Sequence, residues 1–157
     1  MITSYYGVPR EVPMGSVAHS LRVPEALERE IKRELARRGS REWSAGVLSL
    51  LDEAIRMSRA PGIVFVDARD GRRAAVAFSG LEVWEIIRFW KARNGNWEVF
   101  RSEFEEFTEA QLRAALNYYA LYPEEIDARL EREEYWTPER VAAEMPFTQR
   151  NFSAANP

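Results

Sequence analysis

The chain has 157 residues, of which 46% are hydrophobic, and a net charge of −3, so it can form one ordinary domain or two very small ones. It contains no cysteine and one histidine, which excludes disulfides and cysteine nucleophiles and nearly excludes the common catalytic triads and zinc sites. No apolar run approaches the roughly 18 residues of a membrane span, and residues 1–6 do not resemble a signal peptide, so we expect a cytoplasmic protein without membrane contact.

The first predicted elements are an extended arm and a short strand. Residues 1–14 should be extended because Pro9 and Pro13 oppose a helix. Residues 16–23 alternate in polarity, which is typical of a β-strand. One face of this strand would carry Val17, His19, Leu21 and Val23, and the other would carry Ala18, Ser20 and Arg22.

Two amphipathic helices are predicted next. The first spans residues 25–38 and ends at Gly39, the residue type that most readily adopts a left-handed C-terminal cap. The second runs from about Arg41 to Met57, and Gly46 within it costs about 1 kcal/mol relative to alanine unless close packing requires it. The side chains expected on the inner faces are Leu27, Ile31 and Leu35 in the first helix, and Trp43, Val47, Leu50, Leu51, Ala54 and Ile55 in the second.

A strand ending in Leu-Arg-Val-Pro, followed by two helices with a Gly-Ser break, resembles the ribbon-helix-helix repressors. The resemblance implies a homodimer whose paired strands enter the major groove of operator DNA. Arg22 would grip a guanine through two donors, and the amino end of the second helix would bind a phosphate. The candidate DNA-binding residues are therefore Ala18, Ser20, Arg22, Arg41 and Ser44.

A β-hairpin should open the second half of the chain. The apolar runs 63–67 and 72–78 flank Asp70-Gly71, and an Asp-Gly pair between such runs is a strong hairpin signal. The tip of this hairpin carries Arg69, Arg72 and Arg73, which could touch phosphate like the wing of a winged helix.

Several helices are predicted after the hairpin. The pattern Ser79-Gly80-Leu81-Glu82 is a capping box for a largely buried helix, and a second capping box begins at Thr108. Helices over 96–104 and 108–122 have the spacing of a helix-turn-helix. However, the glutamates ahead of the second helix would be repelled by phosphate, so DNA reading there is the weaker interpretation. Pro123 suits the first turn of the next helix.

Three stretches of the second half together carry a family resemblance. They are the hairpin, Gly80-Leu81-Glu82-Val83-Trp84-Glu85-Ile86-Ile87, and Leu112-Arg113-Ala114-Ala115-Leu116-Asn117-Tyr118-Tyr119. They resemble a bacterial antitoxin domain, the domain-of-unknown-function group numbered 433, often encoded beside PIN-like nuclease toxins. The resemblance implies that the tail of the chain covers the acidic active site of a PIN-like toxin, where an arginine is the natural plug. The candidate toxin-binding residues are Arg140, Phe147, Arg150 and Phe152.

The predicted fold is mainly α with short β. A ribbon-helix-helix-like segment spans 15–60, a hairpin with a helix-turn-helix-like domain of three or four helices spans 61–135, and a short helix with a flexible tail spans 136–157. The predicted function is that of an antitoxin that also represses its own operon. A dimerisation module without DNA binding and a carboxylate hydrolase remain alternatives. No glycine-rich nucleotide loop is present, and we expect no cofactor, metal, small-molecule substrate or catalytic residue.

Overall fold

The computed structural model describes residues 17–136 and 138–144. These ranges are mainly helical, with one short two-stranded antiparallel sheet, which confirms the predicted class of mainly α with short β. The chain divides into two compact units after Gly80. None of the described helices combines the length and the apolar character needed to cross a membrane.

The first unit contains two helices and a hairpin. Helix α1 (Glu25–Arg37) packs against α2 (Trp43–Arg59). Strands β1 (Ile63–Ala68) and β2 (Gly71–Val76) pair antiparallel across the two-residue turn that the Asp-Gly signal predicts. Gly71 has a φ of 122°, a backbone conformation that residues with a Cβ rarely adopt.

The strand predicted over residues 16–23 does not form in the described part, since residues 17–24 carry no strand in the single chain. A strand needs a neighbour to accept and donate its ladder hydrogen bonds. Among the described residues the two strands of the hairpin pair only with each other, so this segment has no partner strand in the described part of its own chain.

The junction between α1 and α2 depends on two glycines. Gly39 has a φ of 68°, and the amide of Ser40 donates to the carbonyl oxygen of Leu35 at 2.9 Å, so the predicted left-handed cap is confirmed. At Gly46, a Cβ would lie 2.4 Å from Cδ2 of Leu35. Close packing of α2 on α1 is therefore the reason for a glycine inside this helix.

The described part of the second unit is built from helices joined by short loops. It contains α3 (Val83–Ala92), α4 (Trp97–Glu103), α5 (Glu109–Leu121), α6 (Pro123–Tyr135) and α7 (Pro138–Glu144). Helix α5 packs against both α3 and α6. The side chains with no exposed area at the centre of this unit are Val83, Ile86, Ile87, Phe100, Leu112, Ala115 and Tyr118.

One of the two predicted capping boxes is present. The amide of Gln111 donates to Oγ1 of Thr108 at 3.2 Å, and the amide of Thr108 donates back to the Gln111 side chain at 2.9 Å. The box predicted over Ser79–Glu82 is wrong, because the Ser79 hydroxyl instead donates to the carbonyl oxygen of Val76 and closes the turn after β2. Helix α3 is capped three residues later, where the amide of Glu82 donates to the carboxylate of Glu85 at 2.8 Å.

The hairpin belongs to the first unit. The sequence placed a domain boundary between residues 60 and 61, whereas the compact units divide at 80. Strand β1 packs on α2, and the ion pairs described below join β1 and β2 to both helices. Such contacts join side chains that lie far apart in the sequence, so composition and turn signals alone do not reveal them.

Candidate nucleic-acid and protein interfaces

All five candidate DNA-binding residues lie on the surface of the first unit. Ala18, Ser20 and Arg22 are exposed in the segment that leads to α1. Arg41 and Ser44 are also exposed and lie together at the amino end of α2, where free backbone N–H groups favour an anion. None of the first three residues lies in a strand in the part of the chain that the structure describes.

Arg22 and Arg41 form no ion pair among the described residues, in contrast to the basic side chains of α1. Each basic side chain of that helix pairs with a glutamate of the same helix: Arg29 with Glu25, Lys32 with Glu28, Arg33 with Glu30, and Arg37 with Glu34. These pairs neutralise the outer surface of α1. The charges of Arg22 and Arg41 therefore remain available for a phosphate or a base edge.

The first unit exposes a large apolar face. Leu48, Leu51 and Ile55 form one stripe along α2 and are 66%, 51% and 53% exposed. The prediction that the apolar stripe of α2 faces inward is wrong for the single chain, since Trp43, Leu51, Ala54 and Ile55 are all exposed. The same unit also exposes Val17, Leu21 and Leu27.

The core of this unit is correspondingly small. Its buried hydrophobic residues among the described positions are Leu35, Ala60, Ile63, Ala74, Ala75 and Val76, three of which are alanines. A domain of this size whose buried large apolar side chains, among the described residues, are only Leu35, Ile63 and Val76 has little burial to offset its chain entropy. An exposed face of this kind marks an interaction surface.

A buried carboxylate fixes the hairpin to α2. Glu53 is 4% exposed and accepts hydrogen bonds from Nη1 of Arg38 at 2.8 Å and from Nη2 of Arg72 at 3.1 Å. Arg72 also donates to Asp67 at 2.9 Å and to the carbonyl oxygen of Phe65 at 2.6 Å. Because a buried carboxylate is tolerated only when it is paired, Arg72 on β2 and Arg38 after α1 are both required by Glu53 on α2.

A second group of ion pairs holds the turn end of the hairpin against the end of α1. Nη1 of Arg37 donates to Asp67 at 2.7 Å, and its Nε donates to Glu34 at 2.8 Å. Hydrogen bonds from Arg37, which has the larger effect, and from Arg38 lower the pKa of Glu34 to about 2. Hydrogen bonds from Arg37 and Arg72 also lower the pKa of Asp67.

The three arginines of the predicted wing have different roles. Arg72 is held in the buried cluster, and Arg73 pairs with Asp70 across the turn. Arg69 is exposed and forms no ion pair within the described chain. Of this group, Arg69 alone presents an unneutralised charge at the tip.

The polar face of the predicted recognition helix, α5, is engaged internally. Arg113 donates to Glu109 at 2.6 Å, and its guanidinium carbon lies 4.7 Å from the ring centre of Trp97. Gln111 serves the cap at Thr108. These contacts leave this helix without a described arginine or lysine available to a phosphate. DNA reading therefore stays the weaker of the two interpretations of this helix.

One of the four candidate toxin-binding residues lies in the described part. The guanidinium of Arg140 stacks 4.3 Å above the ring of Tyr135, which itself packs edge-on against Trp136 at 5.1 Å. Both aromatic side chains are exposed. Phe147, Arg150 and Phe152 lie outside the described residues, as does the predicted arm over 1–14. Sequence reasoning missed Tyr135 and Trp136, although two adjacent aromatics at the end of a surface helix were a usable signal.

No group of three or more histidine, aspartate or glutamate side chains in the described ranges could hold a metal ion. Comparison with family models, with curated proteins and with solved structures finds no match to this chain. The function of the chain is therefore inferred from the chemistry of its own surfaces.

Proposed function

We propose that this protein is the antitoxin of a type II toxin–antitoxin pair. The protein forms a homodimer whose residues 15–60 bind operator DNA and thereby repress its own operon. Its second half binds a PIN-like nuclease toxin and neutralises it without turnover. The observation that carries this proposal is the apolar face of the first unit together with the unpaired segment over residues 17–24.

A second copy of the chain supplies what this unit lacks. Pairing of residues 17–23 with the same segment of another copy gives their backbone groups ladder partners. Such an isologous contact also brings the apolar stripe of α2 against a second copy of itself. Both deficits of the single chain are thus met by one ribbon-helix-helix-like dimer.

The charge distribution favours DNA as the ligand of that dimer. Arg22 and Arg41 carry charges that no described carboxylate neutralises, and they flank α1 in the sequence. An arginine on a ribbon reads guanine, and an arginine beside a helix N-terminus binds phosphate. Ser20 and Ser44, also exposed, add short hydrogen-bonding side chains at the same two places.

The exposed pair Tyr135 and Trp136 supports a protein partner for the second half. Tyrosine, tryptophan and arginine dominate the energetics of protein interfaces. Because Arg140 is already stacked on Tyr135, less side-chain freedom is lost when its guanidinium meets a carboxylate of the partner. The acidic active site expected of a PIN-like toxin offers such carboxylates.

The DNA-binding half is tested by titrating the full-length protein into a duplex of its own promoter. Affinity should fall steeply as salt rises, because phosphate contacts release counterions. Arg22→Ala should cost about 1–3 kcal/mol of binding and blur the preference for the promoter over a scrambled duplex. The matched control is Arg33→Ala, which removes an exposed arginine that is paired with Glu30. Binding that ignores salt, or equal behaviour of the two variants, would contradict the proposal.

The toxin-binding half is tested by co-expression with the product of the adjacent reading frame, one chain being tagged. A stoichiometric complex, with a neighbour that is toxic when expressed alone, is expected. A harmless neighbour that forms no complex would contradict this half.

The apolar face equally favours a second candidate function, a dimerisation module that does not bind DNA. A full-length dimer that fails to bind its promoter at low salt would select this candidate.

A further inference from the structure

We propose that Arg69, at the tip of the hairpin, is an additional phosphate contact on the same DNA-binding surface as Arg41. The contact presupposes the DNA binding proposed above and extends it to an element outside the ribbon and its two helices. The partner of this contact is DNA, since the exposed guanidinium of Arg69 is cationic and has no carboxylate partner among the described residues.

The fold brings the turn end of the hairpin to the carboxyl end of α1, from which the loop with Arg41 leaves. Arg37 is the last residue of α1, and its bond to Asp67 brings the turn end of β1 to this end of the helix. Arg41 follows Arg37 by four residues, so their Cα atoms lie at most roughly 14 Å apart. Arg69 follows Asp67 by two residues, a reach of roughly 7 Å. Arg41 and Arg69 are therefore each joined by a short stretch of chain to the same Arg37–Asp67 ion pair.

The tip is also held in place. Arg72, opposite Asp67 in the ladder, is bound to the buried Glu53 and to the carbonyl oxygen of Phe65. The two-residue turn between β1 and β2 then leaves Arg69 little freedom to move away from the loop. An arginine whose backbone is held in this way loses less freedom on binding than one on a flexible arm.

The acidic side chains near the tip do not cancel this charge. Asp67 is bonded to Arg37 and Arg72, and Asp70 is bonded to Arg73. Arg69 has no carboxylate partner among the described residues. Since its contact would be with a phosphate and not with a base edge, it should add affinity without adding sequence preference.

The test compares Arg69→Ala with wild type in the full-length protein, on a promoter duplex and on a scrambled duplex. Affinity should fall several-fold and by the same factor on both duplexes. The slope of log affinity against log salt should also become shallower by about one per protomer. Arg22→Ala, by contrast, should change the ratio between the two duplexes.

The matched control is Arg88→Ala in the second unit. Arg88 is likewise exposed and without an ion pair in the described part of the chain, and it lies over the rings of Trp84 and Phe89. Its removal should leave the salt slope unchanged. Thermal melting should show that both variants fold like wild type.

The outcomes separate this contact from the proposed function. If wild type binds the promoter and Arg22→Ala weakens it, but Arg69→Ala keeps the wild-type slope, the hairpin contact is refuted while operator binding stands. Equal effects of Arg69→Ala and Arg88→Ala would also refute it, because they would reflect net charge alone. If wild type binds no duplex at low salt, operator binding and the hairpin contact both fail.

Discussion

At Gly46, the backbone of α2 lies directly against the buried side chain of Leu35. An added Cβ would approach Cδ2 and Cδ1 of this leucine to 2.4 and 2.9 Å. Helix propensity favours alanine over glycine by about 1 kcal/mol, whereas overpacking a core typically costs about 1–3 kcal/mol. Since Leu35 is only 5% exposed, its δ-carbons have little room to move, and the overpacking should prevail.

Gly46→Ala should therefore lower the free energy of unfolding by about 1 kcal/mol, the difference between the two effects. Urea denaturation of the full chain measures this. In a Leu35→Ala background the same substitution meets no δ-carbons and should become neutral or stabilising. A Gly46→Ala protein that is more stable than wild type would show that the side chain of Leu35 can make room for the added Cβ at no cost.

The sequence predicts well those features that depend on a few neighbouring residues. Gly39 as a cap, the Asp-Gly hairpin turn and the box at Thr108 are of this kind, and all three are confirmed. The role of Ser79 was missed, because its hydroxyl serves the turn after β2 and not the following helix. Glu53 and Arg72 carried no signal in the sequence, since their pairing joins an α-helix to a strand 19 residues away.

Among the elements, α1 and the hairpin meet at Arg37, which is bonded to Glu34 of its own helix and to Asp67 of the hairpin, and both carboxylates must be ionised. The pKa of Glu34 is lowered from 4.5 to about 2 in the folded protein by its hydrogen bonds to Arg37 and Arg38. The folded state therefore binds fewer protons than the unfolded state between these two values. The stabilisation is complete above about pH 4.5 and is lost as the pH falls towards 2. The pKa of Asp67 is shifted in the same direction.

Glu34→Gln should accordingly lower the melting temperature at neutral pH and make the decline of melting temperature below pH 4.5 shallower. The effect should shrink in high salt, because the pairs are partly exposed. Glu30→Gln, which removes the carboxylate of an exposed pair with Arg33 on the same helix, is the matched control. An identical acid profile for wild type and Glu34→Gln would show that these pairs do not stabilise the junction.

The helical pattern alone could not determine which face of α2 is covered. Its apolar residues recur at helical spacing, and from one chain this pattern predicts burial in that chain. In the structure the buried positions of the helix are instead Gly46, Glu53 and Arg56. An amphipathic stripe carries the same pattern whether its partner is intramolecular or a second molecule, so only the fold distinguishes the two.

At the scale of the whole molecule, the exposed stripe of α2 predicts self-association. Leu51→Glu places a charge at the centre of the proposed interface and should reduce the apparent mass by about half, from dimer to monomer. Leu121→Glu alters a leucine that is also exposed on a helix, at 44%, but in the second unit, and should remain dimeric. Size-exclusion chromatography with light scattering at several concentrations measures both.

A monomeric wild type would show that the stripe does not mediate self-association. A dimer that survives Leu51→Glu would place the interface elsewhere on the chain.

The salt bridge between Arg72 and Glu53 also determines where the chain can be cut. A fragment that stops at residue 60 keeps the buried carboxylate of Glu53 but loses one of its two guanidinium partners, and a carboxylate left underpaired in a core is strongly destabilising. A fragment that extends to Gly80 retains both partners and the strand that covers them. The smallest N-terminal piece expected to fold on its own therefore includes the hairpin, and any truncation or fusion of the first unit should be joined after residue 80.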